Sequence, residues 1–304
     1  MVTLVTGATG FLGRYLVVHL KTAEPNSTIH SCALNPSAEL NCQELVDLTQ
    51  EAQVHDMVQR IKPQRIYHLA GIAKVSDKIT FKEYFFQNTL STQILLDAVV
   101  KLKTSCDFFL ASSVHVYGNQ LETVNERSEL KPEGPYGFTK LLAEETLKTF
   151  TLRNPQLRGI VARLYSCIGP KQASGFVTSD ICHKIKKLKQ TSETTLEVGP
   201  VDSSRQFTDV RDATQLFPRL FEVNLPSRFE IFNVATDQQT QVKELIEKAL
   251  EIEQLKVKIV SKENHPNPFK GLKVDTKKLG QLIPNTHFRP LESSLKDILS
   301  STPG

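Results

Sequence analysis

The feature that most constrains this chain is its first turn. An apolar run, Val2-Thr3-Leu4-Val5-Thr6, passes directly into Gly7-Ala8-Thr9-Gly10-Phe11-Leu12-Gly13, after which Leu12, Leu16 and Leu20 recur at helical spacing. The three glycines stand three apart between a strand and an amphipathic helix. In that setting the first glycine permits a tight turn, the second lets the backbone approach a pyrophosphate, and the third lets helix and strand pack closely. The helix N-terminus then presents free N–H groups to an anion. An ordinary turn is the plainer alternative for the same glycines.

The rest of the chain continues the alternation. Strands are expected at 28–34, 65–70, 107–112 and 159–164. Between them lie helices marked by Val54, Met57, Val58 and Ile61, by the wide apolar face of residues 85–102, and by residues 136–150. Continuous apolar strands joined by helices imply a parallel sheet covered on both faces. The fold class expected is therefore α/β, a Rossmann-type doubly wound parallel sheet. Beyond residue 164 the pattern loosens. A basic helix at 181–189, a further sheet strand at 229–235, a helix capped by Thr240, a strand at 256–260 and a helix at 291–299 follow. These suggest a dinucleotide-binding domain of residues 1–165, to which 207–236 returns, and a smaller C-terminal substrate lobe of 166–206 and 237–304. The lysines 184, 186, 187 and 189 read as a solvated face, with phosphate contact as the sharper alternative.

Composition narrows the functions available. The 304 residues allow one large domain or two unequal ones, and 39% apolar with 23% charged excludes a disordered chain. Lys and Arg total 37 against 33 Asp and Glu, a formal net charge of +4, too small a surplus for a nucleic-acid coat. No apolar run of ~18 residues offers a membrane span. No signal peptide is expected before the first strand. The five cysteines are odd in number and lack zinc spacing, so no metal is expected. Reduced, buried thiols fit a cytoplasmic location.

Two further clusters carry chemistry. One is Ala111-Ser112-Ser113, at the carboxyl edge of the fourth strand, where ligands of such sheets bind. The other is Tyr136 and Lys140, four apart and so on one helical face. An ammonium beside a phenol favours phenolate and lowers its pKa from ~10, making Tyr136 a general acid or base. A serine hydroxyl opposite holds the substrate oxygen. At the end of the second strand, Ser31-Cys32-Ala33-Leu34-Asn35 offers neither an acid for a ribose 2′-OH nor an arginine for a 2′-phosphate, so NAD and NADP stay open. Asp47 suits an adenine-side loop or the cap of the next helix.

With these residues in view, the chain resembles the extended short-chain dehydrogenases/reductases that act on nucleotide sugars. The resemblance rests on TGATGFLG (6–13), HLAG (68–71), SSVHVYG (112–118), PYGFTK (135–140), RLYSCIGP (163–170), RQFTDVRD (205–212) and FNVAT (232–236), which span essentially the whole chain. Within that family, IGPKQASGFVTSD (168–180) looks most like the GDP-4-keto-6-deoxymannose reductases. The resemblance implies a catalytic Ser113, Tyr136 and Lys140. It implies cofactor contacts from Gly7, Thr9, Gly10, Phe11, Leu12, Gly13, Asp47, Leu48, Leu69, Ala70, Gly71, Asn88, Tyr136 and Lys140, the cofactor being NADP(H) or NAD(H). It places Arg205 on the sugar-nucleotide diphosphate, an arginine fork being suited to phosphate oxygens. A structural Arg205 paired with Asp209 or Asp212 is the alternative.

Three departures stand out. Ser166 replaces the asparagine the family often sets against the nucleotide sugar, and His265 stands where a second diphosphate arginine is expected. Val114-His115 replaces the acidic pair that dehydratases carry, which argues against 4,6-dehydration; His115 reads as a packing residue or an extra acid/base. The function expected is NAD(P)H-dependent reduction of a nucleotide-linked 4-keto-6-deoxyhexose. A 4-epimerase with tightly bound NAD is the alternative enzyme, and a non-catalytic nucleotide sensor the alternative of another class. The helix of 85–103 carries apolar residues on more than one face, more than a sheet covers, and pairing it and the helix of 136–150 with their symmetry mates suggests a homodimer built as a four-helix bundle.

Overall fold

A computed structural model describes residues 1–36, 42–120, 122–191, 193–261 and 271–302. In chain order the first half comprises β1 (Val2–Thr6), α1 (Phe11–Ala23), β2 (Thr28–Ala33), β3 (Glu44–Leu45), α2 (Glu51–Ile61), β4 (Arg65–His68), α3 (Phe81–Tyr84), α4 (Ser91–Lys101), β5 (Cys106–Ser113), α5 (Pro135–Arg153) and β6 (Leu157–Leu164). The second half comprises β7 (Cys167–Ile168), α6 (Val177–Leu188), β8 (Thr195–Val198), β9 (Ser204–Arg205), β10 (Thr208–Asp209), α7 (Val210–Glu222), β11 (Phe229–Val234), β12 (Thr240–Gln241), α8 (Val242–Ile252), β13 (Lys258–Ser261), α9 (Lys277–Leu282) and α10 (Leu291–Ser301).

The parallel sheet expected from the apolar strands is present, with seven strands in the order β11-β6-β5-β4-β1-β2-β3. Every pairing in it is parallel. The chain winds outward from β1 through β2 to β3, then restarts at β4 on the other side of β1. The direction therefore reverses between β1 and β4, and a doubly wound sheet opens its ligand crevice at that switch point. Both faces are covered. Leu16, Val17 and Leu20 of α1 pack with Leu216, Phe217 and Leu220 of α7 and Phe109 of β5 on one side. Val54, Met57 and Val58 of α2, Leu95 and Val99 of α4, and Leu147 of α5 cover the other. Leu279 and Ile283, on and just beyond α9, join the first of these clusters.

A third apolar cluster gathers α6, α8 and α10 around Leu196 and Val198 of β8. Here β8 and β13 form a separate parallel pair. One expectation needs correction. Thr240 does not cap α8: it pairs with Arg205 in a short antiparallel ladder, and Gln241 holds the cap position. Helix α7, not among the elements expected from the sequence, carries Pro218 inside it.

Candidate active site

The loop after β1 is built of backbone. Gly7 has φ +66, and a Cβ placed there would lie 2.7 Å from Ala70 N. The ends of β1 and β4 thus touch across the switch point. At Gly13 a Cβ would lie 2.1 Å from Gly7 O, so the third glycine holds α1 against the loop as its spacing required. Gly10 caps α1 without a side-chain hydrogen bond, and no acid occupies the first helical turn. The leading N–H groups are therefore not consumed by the helix's own side chains, which fits a dinucleotide pyrophosphate.

His68 locks this corner. Thr92 Oγ1 donates to Asn88 O at 2.7 Å, so it accepts from His68 Nε2 at 3.1 Å; His68 Nδ1 then accepts from Thr6 Oγ1 at 2.8 Å. Burial pushes the imidazole down to about 3, with Lys140 as a second cause, so it is neutral. A π-helical turn, Phe85–Leu90, carries Asn88 inward. Asn88 Oδ1 accepts from Ile72 N at 2.8 Å and its Nδ2 donates to Ile72 O at 3.3 Å. The asparagine therefore grips the backbone next to Gly71.

Ser113 ends β5, and Tyr136 and Lys140 follow Pro135 at the start of α5. The three meet at the carboxyl edge of the sheet and line one cleft with Gly7, Gly10 and Gly13. Lys140 Nζ donates to Ala111 O at 3.0 Å. Burial lowers Lys140 to about 8, opposed by Glu144 one turn along the helix. The phenol shift expected from the sequence is reversed. Burial raises Tyr136 to about 12, with a hydrogen bond to Ser113 pulling the other way. Removal of the phenol from water thus outweighs any help from its neighbours, and Tyr136 is held protonated in the free protein. The ring of His115 stands edge-on to that of Tyr136 at 5.3 Å, and its Nδ1 lies 3.4 Å from Ser113 Oγ. Burial and Arg205 lower His115 to about 4, so it too is neutral.

The cleft has a volume of about 1110 Å³ and runs from the glycine loop to the third cluster. That exceeds the ~300–1,000 Å³ of a site for one small ligand. Phe11, Leu12, Leu69, Gly71, Ser166 and Arg205 are on its wall. Of the two acids offered as alternative partners of Arg205, Asp209 pairs with Arg211 at 2.7 Å and Asp212 pairs with Arg289. Ser166 has φ 38, a left-handed conformation that asparagine adopts more readily than serine. Thr9, Asp47, Leu48, Ala70 and Asn88 are not on that wall. Leu48 is a core residue. Asp47 does not cap α2: its Oδ1 accepts from Thr49 N at 2.9 Å, and Gln50 is the cap. His265 lies outside the described residues.

Sequence reasoning missed a buried network under the site. Arg163 Nη2 lies 2.7 Å from Glu144 Oε2, with both side chains 1% exposed. Ser112 Oγ donates to Glu144 Oε1. Arg163 Nη1 donates to Tyr117 OH at 2.9 Å, and that hydroxyl donates to Asn233 Oδ1 at 2.7 Å. The one available signal was the spacing of Glu144, four residues beyond Lys140 and so on its face of the helix.

A seven-stranded doubly wound sheet, a glycine loop at its switch point and Ser113, Tyr136 and Lys140 at its carboxyl edge describe a Rossmann-type α/β protein with an oxidoreductase-like cleft. The family model for GDP-mannose 4,6 dehydratase matches residues 4–298, and the chain belongs to that family. It is 29% identical over 308 residues to GDP-6-deoxy-D-mannose reductase of Pseudomonas aeruginosa, covering 97% of this chain and 95% of the relative. It is 27% identical to UDP-glucose 4-epimerase of Mycoplasma pneumoniae, covering 97% and 94%. Among solved structures, RMD from Pseudomonas aeruginosa complexed with NADPH superposes with TM-score 0.86 at 28% identity, covering 99% of this chain and 98% of that one.

Proposed function

We propose that this protein uses NAD(P)H to reduce the keto group of a nucleotide-linked 4-keto-6-deoxyhexose. The observation that carries the reading is the meeting of Ser113, Tyr136 and Lys140 beside the glycine loop in one cleft. The likeness to a GDP-6-deoxy-D-mannose reductase over nearly the full length of both chains supports it. So does the likeness to a structure that holds NADPH. When bound, the nicotinamide supplies the hydride. Gly7, Gly10 and Gly13 admit its pyrophosphate, and Lys140 holds the adjoining ribose. Ser113 and Tyr136 bind the keto oxygen, and Tyr136 delivers a proton to it. A phenol held protonated by burial suits that donor role, and fixed donors around a developing alkoxide stabilise it without reorganisation.

In this reading residues 166–206 and 237–304 form the lobe that takes the nucleotide sugar, with Arg205 on the diphosphate and Ser166 beside the sugar. A second reading, 4-epimerisation, is favoured by the 27% likeness to a UDP-glucose 4-epimerase. The two are separated by mixing stoichiometric NADPH or NADH with a 4-keto sugar nucleotide. Net cofactor oxidation matching product supports reduction; turnover of a UDP-hexose without net oxidation supports epimerisation.

We further propose a homodimer, on a narrower surface than the sequence suggested. Of the apolar residues of α4, Ile94, Leu95, Leu96, Ala98 and Val99 are buried within the chain and Val100 is half-buried. An aromatic group stays exposed: Phe81 is 48%, Phe86 38% and Phe138 44% exposed, with the Phe81 and Phe138 rings 6.0 Å apart.

A further inference from the structure

The Glu144–Arg163 pair is unused by the chemistry above, yet it reaches groups on either side of the site's residues. Ser112, which donates to Glu144, precedes Ser113. Glu144 stands one turn from Lys140 on α5. Tyr117, which receives Arg163 Nη1, closes the 3₁₀ turn that begins at Val114 beside Ser113. Asn233, which receives Tyr117, ties in β11 and donates through Nδ2 to Asp275 O at 3.1 Å. One ion pair thus joins β5, β6, α5 and β11 directly beneath the cleft.

Stability is a poor reason for such a pair. Desolvating two charges can offset their attraction, and apolar replacements of similar volume are often neutral or stabilising. We propose that Glu144 and Arg163 form a positioning device for Lys140 and the Ser112–Ser113 strand end, which keeps the Lys140 ammonium charged and in place to hold the nicotinamide cofactor. This rests on the reading of Lys140 as a cofactor-holding residue. The other groups facing Lys140 cannot supply the charge. His68 on β4 and Tyr136 on α5 are both held neutral by burial. Arg163 on β6 is itself a cation and engages Glu144 through Nε as well as Nη2. Glu144 is the opposing influence on a lysine that burial lowers to about 8.

The test measures NADPH and NADH affinity against pH, without turnover, in the wild type, Glu144→Gln, Lys140→Met and the double variant Glu144→Met with Arg163→Leu. Wild-type affinity should fall above about pH 8 as Lys140 loses its proton. In Glu144→Gln that fall should begin roughly half a unit to one unit lower. The single variant leaves Arg163 uncompensated and risks unfolding; the double variant should fold with near-wild-type melting and show the same acid-ward shift. A folded double variant whose pH profile superimposes on the wild type overturns the proposal. A double variant that no longer folds does so too, since the pair is then a stability element. If Lys140→Met binds cofactor normally, the reading of Lys140 falls first and takes this inference with it.

Discussion

Gly13 has no room for a side chain, and this sets two effects against each other. Alanine in a helix interior is ordinarily favoured over glycine by about 1 kcal/mol. Here its Cβ would lie 2.1 Å from Gly7 O, which only a movement of the loop relieves. Gly13→Ala should therefore lose affinity for NAD(P)H by roughly tenfold or more, about 1.4 kcal/mol, and isothermal titration would show it. Tyr136→Phe should behave differently, abolishing reduction of a 4-keto sugar nucleotide while leaving cofactor affinity close to wild type. Activity within threefold of wild type would remove Tyr136 from its role. Arg205→Ala should raise the nucleotide-sugar KM by about 10- to 150-fold, since hydrogen bonds to charged groups contribute ~1.5–3 kcal/mol. Unchanged KM would return Arg205 to a structural part.

At the scale of elements, the π-helical turn between α3 and α4 is the clearest device. It turns Asn88 onto Ile72, and both of its bonds there are to backbone. Asn88→Ala should leave the half-buried Ile72 N–H without its acceptor, a loss of about 1 kcal/mol read as a lower melting temperature, together with weaker cofactor binding. This also shows where the sequence was legible. The strand–glycine–helix order at 2–20 and the Tyr136–Lys140 spacing pointed to the glycine loop and the cleft wall, because each depends on neighbours within a few residues. Asn88 was expected to touch the cofactor, and its hold on the loop that lines the cleft was not legible in the sequence. The π turn has no sequence period of its own, and the long-range pairs Asn88–Ile72 and Glu144–Arg163 exist only once the sheet has assembled. Helix α7 carries an internal proline, a residue that ordinarily breaks a helix, and yet Val210, Ala213 and Phe217 are all buried. The Tyr136 shift was misjudged because a spacing rule counts the nearby lysine and not the burial of the phenol.

For the whole molecule, pH and assembly follow from burial. His68 and His115 are lowered to about 3 and about 4 from an ordinary 6.5. A histidine lowered on folding contributes its stability above pH 6.5 and loses it as pH falls toward the folded value. The urea midpoint should therefore drop steadily from pH 7 to pH 4, and a His68→Gln variant should show a shallower drop. The exposed Phe81, Phe86 and Phe138 should seat a second copy, so light scattering at micromolar concentration should return twice the 34.1 kDa chain mass. A monomer mass would count against the dimer, and Phe138→Glu should convert dimer to monomer. The account as a whole rests on hydride delivery to a nucleotide-linked keto sugar. The most direct measurement uses NADPH or NADH carrying deuterium at the transferable C4 position, with GDP-4-keto-6-deoxymannose as substrate and mass spectrometry of the product. The account predicts one deuterium in the product hexose and one cofactor oxidised per product formed. Product without deuterium, or deuterium-free turnover with no net cofactor oxidation, would contradict it.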